Sequence, residues 1–489
     1  MNNDSELSTK RLKREILVRM IKAFLSDDFP ENTRLIPYDM RPKGAEVPFR
    51  CCVHKERAIL RARTLAGLGF SIEEDDERTL LSDYARRALT REKPEPNPLT
   101  VLESACHGCA ESKMYVTDLC QNCVARPCMN ACRFGAIQHI NGRSVIDTEK
   151  CKKCGLCMKA CPYGAITKTV VPCENACPVG AIAKDANGSA RIDKDKCISC
   201  GKCVSACPFG AVHAKTQVID VLRHIKAGRN VIALYAPALV GHLPCRPEQI
   251  QDALLKVGFS SVYEVAQGAD ITTLTEAHDF QERLDAGAPF MTTSCCAAYN
   301  ELVNKHLPEI KPYVSDAHTP LYYTAEIAKK EHPDAVIVFL SPCFAKRREV
   351  LDNPNVQYVL SFEELGAILI AMGIEIDTCA DRELAYQSAK ESREFALSGG
   401  VARAVQAAWK GDKDAIKPVV ISGLDKNTVR DLKIYAKTGH CPAGNLIEVM
   451  SCAGGCIAGN ACLGTLKEAL KKVKEYGDKG HSISERKEK

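Results

Sequence analysis

Twenty-seven cysteines in 489 residues dominate the chemistry open to this chain. Sixteen fall between Cys106 and Cys207, and the other eleven are scattered. Within the dense region, CKKCGLCMKACPYGAI at 151–166 aligns without gaps on CISCGKCVSACPFGAV at 197–212; nine of sixteen positions are identical, including all four cysteines. The spacing C-x2-C-x2-C-x3-C-P is that of iron–sulfur ligation, in which three thiolates wrap one cubane and the fourth reaches its neighbour. Iron in a sulfide cluster prefers such soft ligands. Zinc would instead take four cysteines tetrahedrally from paired C-x2-C knuckles, which the triple spacing does not match. Gly155 and Gly201, after the second cysteines, suit a tight loop that presents backbone N–H groups to sulfur.

A second group of cysteines lies in the C-terminal half. PFMTTSCC, AVIVFLSPC and NLIEVMSC are each a short apolar run that ends in cysteine. Ligands of open α/β sheets sit beyond the carboxyl ends of the strands. The three runs are therefore expected to deliver Cys296, Cys343 and Cys452 to one end of the sheet. Cys456, in SCAGGC, adds a fourth thiolate, and Gly454 and Gly455 would let its backbone approach a bulky ligand.

These residues need elements to position them. Residues 1–100 alternate charged and apolar residues at helical spacing and end in the Pro-rich stretch REKPEPNPLT at 91–100, a linker candidate. Cys51 and Cys52 lie here and read as a buried structural pair. Residues 101–215 carry the cysteine cluster and its internal repeat. From 216 to 489 short β-branched runs alternate with helical patterns, which predicts a mostly parallel sheet with covering helices. From Leu466 an amphipathic helix is expected, then disorder.

Hydrophobic residues make up 45%, enough for a sizeable core, and 66 basic residues nearly balance 61 acidic ones. That balance argues against a nucleic-acid surface, while leaving room for a modest basic patch toward an acidic electron-transfer partner. No run approaches the length of a membrane span. The charged start MNNDSELSTKRLKREILVRM lacks the apolar core of a signal peptide. Dense cysteine without export reads as metal or redox binding rather than disulfides, and a cytoplasmic location is expected.

The cysteine-rich region resembles the bacterial polyferredoxins. That resemblance implies a crossed pairing: one cubane on Cys120, Cys123, Cys128 and Cys161, its neighbour on Cys132, Cys151, Cys154 and Cys157. Arg133 stands where proline is usual. A third cluster would join Cys177 to Cys197, Cys200 and Cys203. Cys173 and Cys207 are then two ligands short, and Cys106 and Cys109 could complete a fourth. The expected number is thus three to four accessory [4Fe–4S] clusters. His107 reads as a solvated loop histidine.

TSCCAAY at 293–299, SPCFAKRRE at 341–349 and EVMSCAGGCIAG at 448–459 resemble, in order, the three signature motifs of [FeFe] hydrogenases. That family holds an H-cluster, a cubane bridged by one cysteine to a diiron unit with carbonyl, cyanide and azadithiolate ligands. The resemblance implies that Cys296, Cys343 and Cys452 bind the cubane and that Cys456 bridges to the diiron unit. It makes Cys295 the thiol that exchanges a proton with the cofactor amine. Glu276, Asp279 and Thr319 become a proton relay, the last two replacing a longer glutamate and a serine. Lys346 would hydrogen-bond a cyanide. Ala236, Pro237, Ser341, Ser398, Gly399 and Met450 would line the pocket, along with Gly400.

The departures are specific. Ala297 and Tyr299 replace the usual Pro and Trp, Ser341 a methionine, Ser451 an alanine and Leu321 a glutamine. Hydroxyls near a cofactor alter its hydrogen bonding and its potential. Cys245, Cys379, Cys441 and Cys462 have no assigned partner, Cys462 being nearest the catalytic motif.

The implied fold is an α/β catalytic domain with mixed or parallel sheets, preceded by an α+β ferredoxin-like 4Fe–4S module and a small N-terminal helical segment. The implied function is reversible interconversion of H2 with protons and electrons, linked to a ferredoxin-like carrier, with maturases inserting the diiron unit and no nucleic-acid or membrane-spanning role. A hydrogen sensor with slow turnover, and a hydrogenase-like iron–sulfur assembly protein without the diiron unit, are the alternatives.

Overall fold

The computed structural model describes residues 4–44, 51–106, 109, 112–412 and 414–485. His107 lies outside them. The C-terminal half is built on two parallel sheets rather than the single sheet expected from its runs. Four strands order as Ser261–Glu264, Val231–Tyr235, Val336–Ser341 and Tyr358–Ser361. Three others order as Met291–Thr292, Leu446–Met450 and Pro418–Ser422. All pairings in both sheets are parallel. Val336–Ser341 and Leu446–Met450 are buried along their whole length, as expected of strands covered on both faces.

The cysteine-rich segment forms four two-stranded antiparallel ladders with short helices between them. The repeat is visible in the backbone. Lys153 and Ser199 share the same left-handed φ of 56°, and Gly155 and Gly201 follow at 80° and 78°. The two glycines differ in surroundings. A Cβ on Gly155 would meet nothing within 4 Å, whereas one on Gly201 would come within 2.5 Å of the Phe344 ring.

The N-terminal segment is helical, with helices Asp4–Leu25, Phe29–Met40, Val53–Gly67 and Leu81–Thr90. It is not a separate body. Ile16, Leu17, Met20 and Ile21 are buried in the same core as Leu234, Leu340, Leu365 and Ile368 of the four-stranded sheet and its helix. An ion pair between Lys13 and Glu363 closes the seam.

Three local expectations are corrected. The Pro-rich stretch at 91–100 is no free linker. Arg91 is paired with the fully buried Asp220, Glu95 with the buried Lys215, and Leu99–Val101 forms a ladder with Val212–Ala214. Prolines exclude a helix here, but the charges between them find buried partners. Cys51 is exposed and Cys52 half-buried, with sulfurs 3.8 Å apart, so the pair is not part of the core. The tail is held past its helix Leu466–Gly477, because Glu391 accepts from Ser482 Oγ and Ile483 N and Ile483 is buried. No described helix is long and apolar enough to cross a membrane.

A shared core predicts shared stability. Met20→Ala removes a fully buried side chain and should cost about 2–5 kcal/mol. The only tryptophan, Trp409, sits in the C-terminal half beside Phe280. Its fluorescence should show the denaturant midpoint falling in the variant. An unchanged Trp409 transition would mean that the N-terminal helices fold apart from the sheet.

Candidate metal centres

Four cavities in the cysteine-rich segment are each lined by four cysteines. One has Cys120, Cys123, Cys128 and Cys161, and a second has Cys132, Cys151, Cys154 and Cys157. A third has Cys177, Cys197, Cys200 and Cys203. The fourth has Cys106, Cys109, Cys173 and Cys207. The grouping coincides with the crossed pairing drawn from the sequence, including the set completed by Cys106 and Cys109. Backbone N–H groups point at the sulfurs in a repeating way. Ala136, Ala181 and Ala211 donate to Cys132, Cys177 and Cys207, four residues back, at 3.2–3.3 Å. Lys153 and Ser199 donate to Cys151 and Cys197, two residues back, at 3.4 Å.

The donor set has a physical problem when left as thiols. Burial pushes Cys200 up to about 12 and Cys173 up to about 11, with neighbouring cysteines adding to both. Burial and then the charges of Cys200, Cys197 and Cys177 push Cys203 higher still. Four thiolates cannot face one another in an apolar cavity without cations between them. An iron–sulfur core supplies that charge, so these residues fit it. Among the described residues, no three His, Cys, Asp or Glu side chains converge closely enough to hold a single metal ion; the sulfurs stand round their cavities.

The cavities fall into two pairs. The pair that includes Cys173, Cys197, Cys200 and Cys203 is embedded, sharing apolar clusters with Phe344, Ala461, Ala345 and Leu424. The pair that includes Cys128 and Cys157 has only its own small core with Met114, Ile137 and Ile166. Cys154 in that pair is exposed.

In the C-terminal half, parallel strands deliver the three motif cysteines at their carboxyl ends. Cys296 follows Met291–Thr292 and caps the helix Ala297–His306; Cys343 follows Val336–Ser341; Cys452 follows Leu446–Met450. They come from two sheets, yet their sulfurs lie in one electrostatic neighbourhood. Burial and the charge of Cys296 push Cys343 up to about 11. Burial, Cys296 and Cys343 push Cys456 up to about 12. Cys452 rises through burial and then through Cys343, Cys296 and Cys456. All four keep partial exposure despite this burial, as groups lining an internal space do. The same donor-set argument applies, and the quartet fits a polynuclear iron centre.

Gly455 presses on protein rather than only on a ligand. Its φ is 89°, and a Cβ there would lie 2.6 Å from Ser398 N. Ser398 N in turn donates to Gly454 O at 3.2 Å. This contact brings Ser398 and Gly399 to the Cys452–Cys456 loop. Ala236, Pro237, Ser341 and Met450 are buried at or just beyond strand ends.

The acid–base groups are less continuous than the sequence suggested. Glu276 is fully buried on the helix Ala266–Asp285, and burial pushes it up to about 7. Its Oε1 accepts from Ser294 N at 3.1 Å, and its Oε2 has no hydrogen-bond partner among the described residues. Burial and then Glu276 raise Cys295, which places thiol and carboxyl within each other's field. Asp279 is committed elsewhere. It accepts from Arg283 Nε at 2.6 Å and from Asp316 N at 2.9 Å. Thr319 Oγ1 donates to Glu349 Oε1 at 2.6 Å, not to Glu276 or Asp279. Glu349 also forms an ion pair with Lys346.

Two carboxylates escaped the sequence reading, although both stand in the quoted motifs. Glu349 closes SPCFAKRRE, and its i, i+3 spacing from Lys346 was the available signal. Glu448 interrupts the apolar run NLIEVMSC. It is fully buried and accepts from Gly399 N at 2.7 Å and Ala402 N at 2.9 Å, capping the helix Gly400–Ala408.

One residue joins the two metal-binding regions. Asn460 Nδ2 donates to Cys200 O at 2.8 Å and lies 4.0 Å from Cys452 Sγ, while Ser205 Oγ donates to Asn460 Oδ1 at 2.7 Å. Cys200 is close enough to add to the upward shift of Cys452. Lys305 Nζ reinforces the seam by donating to Cys197 O at 2.7 Å. The unassigned Cys379, Cys441 and Cys462 are buried, and the Cys462 thiol donates to Cys456 O at 3.6 Å.

Residues 229–460 match the family described as the iron only hydrogenase large subunit, C-terminal domain, and residues 144–167 and 190–213 match the 4Fe-4S binding domain. The NADP-reducing hydrogenase subunit HndD of Solidesulfovibrio fructosivorans is 27% identical over 257 residues, covering 42% of this chain and 44% of the relative. The periplasmic [Fe] hydrogenase large subunit of Nitratidesulfovibrio vulgaris is 26% identical over 306 residues, covering 50% and 72%. The first of these relatives is thus matched over less than half its length. A structure of an apo [FeFe]-hydrogenase variant from Chlamydomonas reinhardtii aligns with a TM-score of 0.42 at 18% identity, covering 54% of this chain and 88% of that one. Residues 229–460 thus resemble a hydrogenase-type domain, and 4Fe–4S-binding motifs stand ahead of it, similarities that support a divergent [FeFe]-hydrogenase-like protein.

Proposed function

We propose that the protein interconverts H2 with protons and electrons at an H-cluster, and that four accessory cubanes relay the electrons to a ferredoxin-like carrier. The observation that carries this reading is the convergence of Cys296, Cys343, Cys452 and Cys456 beside Cys200, so that a catalytic centre and a wire would meet at Asn460. When bound, the H-cluster would supply the site of hydrogen cleavage and a store for its electrons. Cys296, Cys343 and Cys452 would hold its cubane, and Cys456 would bridge to its diiron unit, inserted by maturases.

The chain's own groups handle the proton. Cys295 has a thiol kept protonated by burial and by Glu276, so it can donate at the buried end of the path. Glu276 Oε2, without a partner, is free to receive a proton from that thiol and to return it. Lys346 stays charged in the pocket: burial opposes its charge, but Glu349 and the cysteines outweigh that. It can therefore orient an anionic ligand. Ser341 Oγ is turned toward its own loop, accepting from Cys343 N and donating to Cys343 O, both at 3.1 Å.

One observation favours the sensing alternative. Arg283 holds Asp279, and Thr319 is turned to Glu349, so beyond Glu276 the expected relay has no continuous hydrogen-bonded path. Slow turnover would follow, as suits a protein that reports hydrogen rather than processing it in bulk.

Anaerobic preparation with maturation should yield infrared bands of bound carbonyl and cyanide. Cys456→Ser should abolish them while most of the iron is retained; bands that survive would remove Cys456 from the centre. Glu276→Gln should keep the bands and lower hydrogen turnover by about 10²–10⁴-fold. Asn460→Ala should keep the bands and slow reduction of the accessory clusters by H2 by roughly ten-fold or more. An unchanged rate would mean that electrons leave by another route.

A further inference from the structure

The positive charge of the chain is not spread over it. Residues 114–168 hold eight basic and three acidic side chains, and the remaining 434 residues hold 58 of each. All of the formal net charge of +5 therefore resides in the segment that builds the outer pair of cavities. That pair has its own small core and stands away from the apolar clusters that embed the inner pair.

Within the outer pair, one cavity carries an exposed sulfur. Cys154 is the only exposed cysteine among the sixteen. Lys152, Phe134 and Leu156 line the same cavity, with Phe134 47% and Leu156 38% exposed, so the rim is apolar as well as basic. Lys153 flanks Cys154 and is exposed, and Lys159 stands one helical turn after Leu156, on the same helix face. Lys152, Lys153 and Lys159 are free of ion pairs among the described residues, whereas Lys150 is drawn toward Asp147 at 3.7 Å. A small apolar centre ringed by unpaired lysines is suited to brief, steered docking rather than permanent assembly.

We infer that the surface around Cys154 is the docking site for an acidic one-electron carrier protein. The inference rests on the electron-wire reading above and adds the place of exchange. H2 gives two protons and two electrons. Each electron would leave the cubane behind Cys154 singly and reduce one carrier molecule, so two carriers dock in turn per H2 oxidised, and the reverse holds for H2 formation. At the other end of the chain of cavities, Asn460 and Lys305 bind the inner pair to the catalytic half. The outer pair is thus left as the terminus, with Cys154 its most exposed sulfur.

The test uses the full chain loaded with its clusters and, as probe, an acidic ferredoxin with a single iron–sulfur cluster, with binding followed calorimetrically at low and raised salt. Wild type should bind, and affinity should fall steeply with salt. Lys153→Glu/Lys159→Glu should weaken binding at low salt at least ten-fold, its iron content checked to confirm that the clusters are retained. Lys433→Glu/Lys437→Glu, the same charge change on exposed residues of the helix Lys426–Thr438, should leave affinity within two-fold. Should the first variant lose its clusters, the wild-type salt dependence and protection of Lys153 and Lys159 from amine labelling by bound ferredoxin serve in its place. Salt-independent binding, equal loss in both double variants, equal binding of a redox-inert protein of similar negative charge, or no binding by wild type would each overturn the proposal. Because the readout is binding, it fails separately from the hydrogen chemistry: ferredoxin docking without infrared bands or turnover would reject the H-cluster and keep the docking site.

Discussion

A buried thiolate is costly, and several thiolates facing one another are prohibitive unless positive charge lies between them. This chain brings its cysteines together in sets at five places, and in the innermost sets burial dominates every shift. Cys203, Cys452 and Cys456 are all pushed upward by loss of water first and by the neighbouring cysteines of their own sets second. Such sets of sulfur fit iron–sulfur cores, which place positive charge between the thiolates. Cluster binding would thus be coupled to folding of the cysteine-rich segment, the more so because its ladders are only three or four residues long. The catalytic half differs in this respect. Its two parallel sheets and buried helices pack on extended apolar cores of their own, and the cysteines are placed on strand ends that this packing fixes.

The same division explains how an electron path could stay aligned. The inner pair of cavities cannot move independently of the catalytic half. Gly201 lies against the Phe344 ring with no room for a Cβ, Asn460 holds the Cys200 carbonyl, and Ile198 and Cys200 share an apolar cluster with Ala297 and Leu424. Gly155, the repeat counterpart of Gly201, has open space where Gly201 has a wall. Duplication supplied two equivalent loops, and one of them has become a seam. The N-terminal helices reinforce the arrangement from behind, since they complete the core of the four-stranded sheet and anchor residues 91–101 across Asp220 and Lys215.

Much of this was legible in the residues. Cysteine spacing carries its own geometry, because ligands two residues apart readily wrap a common body, and the cavities group the sixteen cysteines as the polyferredoxin resemblance implied. Apolar runs ending in cysteine correctly announced strand ends. They did not reveal that Val336–Ser341 belongs to one sheet and Leu446–Met450 to another, because strand partners are chosen by long-range packing that no local pattern encodes. The Pro-rich stretch misled for a related reason: composition signals the absence of a helix, while Arg91 and Glu95 take their order from charges more than 100 residues away. Glu349 and Glu448 were hidden by the motifs that contained them. A carboxylate next to a ligand cysteine reads as background until its partners, Lys346 and the amides of Gly399 and Ala402, are seen.

The departures from the family pattern are distributed unevenly, and this bears on what the protein has become. On the proposed electron side the sixteen cysteines stand round four cavities, Cys296, Cys343, Cys452 and Cys456 share one neighbourhood, and Asn460 adds a contact across the junction. The proton side is altered. Asp279 is too short to reach past Arg283, and it serves the Arg283–Asp316 corner. Thr319 has turned to Glu349, which also takes up Lys346. A carboxylate that neutralises Lys346 weakens its pull on any anion in the pocket. The hydroxyl that might have carried a proton outward is spent on the same carboxylate. Under the proposed function these changes share one direction: they would slow proton delivery while leaving the sulfur sets intact. A protein selected for rapid turnover would be under pressure to undo them. Their combination with an intact set of sulfur ligands is what selection for detecting hydrogen, or for converting it slowly, would leave behind.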